Sequence, residues 1–175
     1  MRDIKNCIKE LPWGPGAWSK RALKAIDRIV VHQALADMTI AQINNYHISP
    51  GNHISEGGCP HICYHYCIGN DGTIYKTNPL SSTVWHCRKQ NSVSIGILVV
   101  GNFGGPSHVS MRIPTNDQID SLQQLLDYFT HSHIANLWSH KLITIQRENV
   151  FGHSYFGKEN CPGYVIDEFI RSYKA

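Results

Sequence analysis

The sequence lacks the long apolar segments that membrane proteins and exported proteins carry. No apolar run approaches the roughly 18 residues that a membrane-spanning helix requires, so membrane insertion is not expected. The opening segment, MRDIKNCIKELPWGPG, has no apolar stretch of the kind that forms the centre of a secretory signal peptide. We therefore expect the chain to be cytoplasmic when it is made.

A strong charge of either sign is also lacking. The chain has 16 lysines and arginines against 13 acidic residues, which gives a formal net charge of +3. The basic residues are spread along the sequence, whereas a nucleic-acid-binding surface concentrates them. No nucleic-acid partner is expected. The sequence has no internal repeat, low-complexity tract or linker, so a single unit is expected.

The composition is that of a globular domain in which histidine is unusually frequent. Of the 175 residues, 42% are hydrophobic and 17% are charged, enough for one domain with a substantial core. There are 11 histidines and six cysteines. Without an export signal, the cysteines are expected to be reduced thiols and not a disulfide framework. The histidines and cysteines are therefore the first place to look for chemistry.

Apolar patterns predict strands that alternate with helices. Short buried strands are indicated over 28–32, within SVSIGILVVGNF and within ENVFGHS, and a β-hairpin is expected around the turn Asn70-Asp71-Gly72. A helix is expected behind Thr39, and a closing helix over YVIDEFIRSYK. The predicted fold is α/β: a single domain in which a mixed central β-sheet is flanked by helices on both faces.

The clearest predicted helix lies within PTNDQIDSLQQLLDYFTHSHI. Thr115 and Gln118 have the spacing of a capping box at its start. Five apolar residues recur at helical spacing and predict its buried stripe: Ile119, Leu122, Leu125, Leu126 and Phe129.

The segment GGCPHICYHYC, residues 57–67, has the appearance of a metal cluster. If 62–68 is a strand, Ile62, Tyr64, Tyr66 and Ile68 share one face, and Cys63, His65 and Cys67 share the other. Neighbours on one face are about 7 Å apart, too far to converge on an ion held at about 2 Å. No second cysteine pair accompanies the cluster. We interpret Cys63 and Cys67 as buried core thiols and leave Cys59 open.

A dispersed set of residues is better suited to a metal. His32 ends the first long strand, while His153 and Cys161 lie eight residues apart near the end of the chain. Imidazole and thiolate both bind zinc, and three protein ligands leave a fourth position for water. With 11 histidines many triplets can be chosen, so a strand-end histidine bonded to a backbone carbonyl remains the alternative.

Four motifs in order, IVVHQ, YHYCIGNDGTIY, WHCRKQNSVSIGILVVGNF and FGHSYFGKENCPG, resemble the zinc-dependent N-acetylmuramoyl-L-alanine amidases. That family includes bacteriophage lysozymes of the amidase type and peptidoglycan recognition proteins. The resemblance extends from about residue 29 to residue 163. It implies a zinc amidase domain over 28–175, with residues 1–27 as a lead-in packed on it.

The resemblance also implies roles for individual residues. It makes His32, His153 and Cys161 the ligands of a Zn²⁺ ion. Tyr64 matches a catalytic tyrosine beside the metal, although a core aromatic in a strand is the alternative. His86 matches a histidine that lines the substrate groove, and Trp85 next to it would bind substrate as part of the groove wall.

The sequence departs from the family at Glu159. Two residues before the cysteine ligand the family often has lysine or threonine, whereas this chain has Glu159, with Lys158 one position earlier. A carboxylate here would act as a catalytic general base toward water, or it would repel an oxyanion and leave a protein that binds without cleaving.

The resemblance implies hydrolysis of the amide between N-acetylmuramic acid and L-alanine in peptidoglycan, for lysis or remodelling of the cell wall. The alternative is a non-catalytic peptidoglycan-binding protein on the same fold. A thiol enzyme that uses one of the clustered cysteines is a further rival. We expect a monomer whose partner is peptidoglycan or a muropeptide, and which reaches the wall after release from the cell or as part of a virion.

Overall fold

A six-stranded mixed sheet forms the centre of the computed structural model, which describes residues 4–105, 112–131 and 143–175. The strand order is β1-β4-β3-β5-β2-β6. Among the described strands only β3 and β4 pair antiparallel, and they form the predicted hairpin. The bounds are β1 Ile4–Asn6, β2 Arg28–Gln33, β3 Tyr66–Ile68, β4 Ile74–Lys76, β5 Ser94–Val99 and β6 Val150–Gly152.

Within the described parts of the chain, three α-helices cover this sheet: α1 Ile40–Ile48, α2 Asn116–Thr130 and α3 Tyr164–Lys174. Capping boxes begin α1 at Thr39 and α2 at Thr115, as the sequence predicted for α2. The end of the quoted α2 segment, residues 132–134, lies outside the described residues. No described helix combines the length and apolarity that crossing a membrane requires.

The two faces of the sheet carry separate apolar clusters. Alternate residues of β2 and β5, such as Ile29 and Ile97, pack with α2 and α3 in the larger cluster. Leu98 and Cys67 point to the opposite face and pack with Ile40 and Ile43 of α1. The predicted α/β fold, a mixed sheet with helices on both faces, is therefore confirmed.

One residue of the predicted apolar stripe of α2 is wrong. Ile119 in α2 is only half-buried, and Gln118 and Ser121 are buried instead. Their side chains donate hydrogen bonds to the Val100 carbonyl at 2.8 Å and the Gly72 carbonyl at 2.5 Å. These polar groups tolerate burial because they satisfy main-chain acceptors that the sheet leaves unpaired.

The first half of the predicted strand over 62–68 is also wrong, because the strand begins at Tyr66. Residues 57–65 follow an irregular path on which Ile62 and Tyr64 pack on the α1 side, away from Tyr66. Side chains supply hydrogen bonds that neighbouring strands would otherwise make to this part of the backbone. Asn44 Oδ1 accepts from the Ile62 N–H at 2.9 Å, and Asn78 Nδ2 donates to the Ile62 and Tyr64 carbonyls at 2.7 Å each.

The clustered thiols are core residues, as predicted. Cys59, Cys63 and Cys67 are all fully buried, and the first two pack with Trp18 and Val84. All six cysteines of the chain are free thiols. The sequence left Cys59 open, and the structure places it in the same apolar cluster as Cys63.

Candidate metal centre and the groove above it

The three predicted metal ligands meet at one edge of the sheet. His32 lies near the end of β2, and His153 directly follows β6, the parallel neighbour of β2. Because the carboxyl ends of parallel strands lie side by side, these two histidines are brought together, with ring centroids 4.5 Å apart. Cys161 comes from the loop before α3, and its Sγ lies 3.8 Å from His32 Nδ1.

The spacing of these ligand atoms fits a zinc ion. One nitrogen or sulfur from each residue lies within 4.8 Å of the other two. Tetrahedral zinc holds nitrogen at about 2.0–2.1 Å and sulfur at about 2.3 Å, which separates two ligand atoms by about 3.4–3.6 Å. The distance from His32 Nδ1 to Cys161 Sγ is close to this value, and the chemistry of the donor set suits zinc.

Burial keeps both imidazoles in the form that binds metal. The pKa of His32 lies well below its usual value because of burial, with His153 and His86 adding to the shift. Burial, followed by the charge of Lys158, lowers the pKa of His153 to about 4. Burial also raises the pKa of the Cys161 thiol to about 12, so binding of a metal would release a proton here.

Gln33, which the sequence reasoning missed, holds the Cys161 loop against the sheet. Its backbone N–H donates to Cys161 Sγ at 3.5 Å. Its side chain accepts from the Phe103 N–H at 2.5 Å and donates to the carbonyls of Gly104, at 2.8 Å, and of Asn160. A polar residue at the end of a buried apolar strand was the available signal.

Tyr64 lies beside the three candidate ligands, and its catalytic role stays a prediction. Its ring centroid is 5.1 Å from that of His32. The Tyr64 carbonyl accepts hydrogen bonds from Thr77 Oγ1 and Asn78 Nδ2, each at 2.7 Å, which hold the main chain in place. Burial raises the pKa of the phenol well above its usual value, so it stays protonated and able to donate.

A groove opens above the candidate metal centre and runs along α1. Trp85 is 41% exposed on its wall and stands edge-on to Trp18, with centroids 5.2 Å apart. Residues not predicted from the sequence also contribute, among them Tyr46 and His53, whose rings stack with a 19° interplanar angle. The groove therefore offers aromatic faces beside polar atoms.

The positions of His86 and Glu159 differ from the simplest expectation, in which both side chains are open to the groove. His86 lines the groove but is only 7% exposed, and its ring nitrogens bond to His32 and Ser94. Glu159 is exposed and is not part of the groove lining, whereas its neighbour Lys158 is. A substrate contact by His86 and a catalytic role for Glu159 stay predictions.

Comparison with known proteins agrees with this geometry. The pattern of the family described as N-acetylmuramoyl-L-alanine amidase matches residues 22–164. Peptidoglycan-recognition protein SC2 of Drosophila simulans is 26% identical over 175 residues, covering 95% of this chain and 85% of that protein.

Solved structures share the fold. The N-acetylmuramoyl-L-alanine amidase LysC from Clostridium intestinale URNW aligns with a TM-score of 0.68 at 23% identity, covering 98% of this chain and 97% of that one. Peptidoglycan recognition protein-LE, solved in complex with tracheal cytotoxin, aligns with a TM-score of 0.72 at 18% identity, covering 97% and 92%. At these identities the likeness shows the fold alone. The match over residues 22–164 shows more: the chain belongs to the N-acetylmuramoyl-L-alanine amidase family.

Proposed function

We propose that the chain is a zinc-dependent amidase that hydrolyses the bond between N-acetylmuramic acid and L-alanine in peptidoglycan. The observation that carries this proposal is the group of His32, His153 and Cys161 at the base of an open groove, with Tyr64 beside it. Membership of the amidase family supports the reaction type. The complex of a structural relative with tracheal cytotoxin, a monomeric peptidoglycan, supports the substrate class.

Each residue of the centre has a definite task in such a reaction. His32, His153 and Cys161 would hold the ion. When bound, zinc supplies Lewis acidity, which polarises a carbonyl and lowers the pKa of a coordinated water to about 7. The protonated Tyr64 phenol donates a hydrogen bond to the carbonyl oxygen as negative charge develops on it. Trp85 and Tyr46 offer exposed aromatic faces to the sugar and the peptide.

Lys158 is a better candidate than Glu159 for the residue that stabilises the developing charge. Lys158 lines the same groove as His32, His153 and Cys161, and its positive charge lowers the pKa of His153. An ammonium group there attracts an oxyanion, whereas the carboxylate of Glu159 would repel it. The family often has a lysine two residues before the cysteine ligand. In this chain Lys158, three residues before Cys161, would supply that positive charge.

A binding protein on the same fold is the second candidate, because relatives at 26% identity are named peptidoglycan-recognition proteins. The complete set of three ligands favours catalysis over binding alone. We further propose that the protein acts as a monomer and reaches the cell wall after release from the cell or as part of a virion.

The decisive experiment is mass spectrometry of stem peptides released from purified sacculi, with metal analysis of the same preparation. The amidase should carry one zinc per chain and release peptides that begin with L-alanine. Cys161→Ser should lose both properties. Lys158→Ala should keep the zinc and lose about 10²–10³-fold in rate, the usual cost of removing one oxyanion-stabilising group, while Glu159→Gln should change the rate little.

Two outcomes would overturn the proposal. Stoichiometric zinc without peptide release would make the chain a peptidoglycan-binding protein. Activity that survives zinc removal but is lost on alkylation of thiols would make it a thiol enzyme.

A further inference from the structure

A line of hydrogen bonds runs from the metal centre to the main chain on the far side of His86. His32 Nε2, the ring nitrogen that faces away from Cys161, lies 3.0 Å from His86 Nδ1. His86 Nε2 lies 3.0 Å from Ser94 Oγ, and Ser94 Oγ donates to the Gln90 carbonyl at 2.7 Å. The side chains of His32, His86 and Ser94 are all buried, so water does not compete for these bonds.

The carbonyl at the end of this line gives the hydrogen bonds one direction. A hydroxyl has a single proton, and Ser94 uses it on Gln90, so Ser94 Oγ accepts from His86 Nε2. A neutral imidazole protonated on Nε2 carries a lone pair on Nδ1, and this lone pair accepts from His32 Nε2. His32 is then protonated on Nε2 and presents the lone pair of Nδ1 toward Cys161.

The opposite direction would disable the ligand. If Ser94 donated to His86 Nε2, His86 Nδ1 would donate to His32 Nε2, and His32 would carry its proton on Nδ1. That nitrogen could not bind a metal, and the Gln90 carbonyl would lose the Ser94 hydroxyl and keep only the Val93 N–H, at 3.0 Å, so the arrangement would contain one hydrogen bond fewer. The arrangement of acceptors therefore selects the tautomer that can bind metal.

Gly96 provides the space for this arrangement. It lies in the middle of the buried strand β5, where glycine is otherwise unfavourable. A Cβ at position 96 would lie 2.6 Å from His86 Cγ and 2.8 Å from His86 Nδ1. The imidazole of His86 occupies the space that a side chain at position 96 would fill.

We propose that His86, Ser94 and the Gln90 carbonyl form a relay that fixes the tautomer of His32 and so prepares the metal site. His86 is then a positioning residue that acts through His32, and Ser94 and Gly96 support it. This inference rests on the metal-binding role proposed above, but its first readout does not depend on metal or activity.

The first test reads the tautomer directly in the full chain. In chelator-treated protein labelled with ¹⁵N-histidine, long-range ¹H–¹⁵N spectra distinguish a protonated ring nitrogen from an unprotonated one. The relay requires protonated Nε2 on both His32 and His86. A His32 protonated on Nδ1 would overturn the proposal.

The second test measures zinc affinity by competition with a chromophoric chelator. Ser94→Ala and His86→Phe should each weaken zinc binding by about 10- to 100-fold, the usual effect of removing a group that orients a metal ligand. His86→Asn keeps an acceptor close to the position of Nδ1 and should recover most of the affinity. Ser92→Ala is the matched control. Ser92 is exposed and lies two residues before Ser94, and this variant should bind zinc with the affinity of the parent chain.

These readouts separate the relay from its alternatives. If His86 only contacts substrate, its variants will raise KM and leave zinc affinity unchanged, which overturns the proposal. If the parent chain binds no zinc, the proposed function fails, and the tautomer spectrum still decides the relay. If His86→Phe does not fold, Ser94→Ala and the spectrum of the parent decide it.

Discussion

Asn78 is a buried residue whose removal should be costly, because it makes three hydrogen bonds to groups that are distant in the sequence. Its Nδ2 donates to the Ile62 and Tyr64 carbonyls at 2.7 Å each, and its Oδ1 accepts from Trp18 Nε1 at 2.9 Å. Asn78→Ala would leave the Ile62 carbonyl and the Trp18 N–H without these partners, while the Tyr64 carbonyl keeps Thr77. At about 1–3 kcal/mol for each of these two unsatisfied buried groups, we expect a loss of about 2–6 kcal/mol.

Such a loss is a large share of the 5–15 kcal/mol that typically stabilises a domain (about 0.1 kcal/mol per residue). It is measured by urea unfolding followed by tryptophan fluorescence and circular dichroism. Asn45→Ala, an exposed asparagine in α1, is the control and should change the free energy of unfolding by no more than about 0.5 kcal/mol. Because Asn78 holds the main chain of Tyr64, peptide release should also fall.

A double-mutant cycle isolates the Trp18 contribution. Trp18→Phe removes the donor that Asn78 accepts from, so Asn78→Ala should cost less in that background than in the parent. A loss below about 1 kcal/mol for Asn78→Ala would refute the reasoning that this side chain replaces the hydrogen bonds of a strand. Strict additivity of the two substitutions would refute the contribution of the Trp18 hydrogen bond.

Two further predictions concern the buried histidines and the clustered thiols. Burial lowers the pKa of His47 to about 4 and of His65 to about 3, so both are neutral when folded but take up protons when unfolded below about pH 6.5. The stability that these two histidines contribute is therefore fully present above that pH, and it falls by about 1.4 kcal/mol per site for each pH unit toward pH 4. Urea unfolding of chelator-treated protein at pH 7, 6 and 5 should show this decrease. A free energy of unfolding that does not change with pH would contradict the prediction. Cys63→Ala should cost about 1–2 kcal/mol in unfolding free energy while metal analysis still finds zinc, because Cys63 is fully buried beside Trp18 and Cys59. Loss of zinc in that variant, with zinc retained in His32→Ala, would contradict the ligand assignment.

Much of the fold could be predicted because its signals are local. The capping box at Thr115 depends on residues three apart, and the buried strands β2 and β5 follow from unbroken apolar runs. The turn Asn70-Asp71-Gly72 marks the hairpin, and Gly72 has the positive φ of 75° for which glycine is suited. Each of these features needs only a few neighbouring residues.

The strand predicted over 62–68 shows where local signals end. Its β-branched and aromatic residues suit a strand, yet only the last three residues of the stretch, Tyr66–Ile68, join the sheet. Distant side chains, Asn44 from α1 and Asn78 after β4, satisfy the earlier backbone groups and let the chain bend. Alternation along the sequence could not reveal these partners.

Local patterns in the sequence are enough to indicate the order of motifs, the residue types of the candidate metal centre and the class of fold. Only the packed chain shows that Lys158, and not Glu159, lines the groove, and that His86 bonds to His32 and Ser94. The reason is physical: a residue's chemistry and local conformation depend on its close neighbours in the chain. The direction and hydrogen-bond partners of a buried side chain depend on segments that packing brings together, as it brings His86 to His32, 54 residues away.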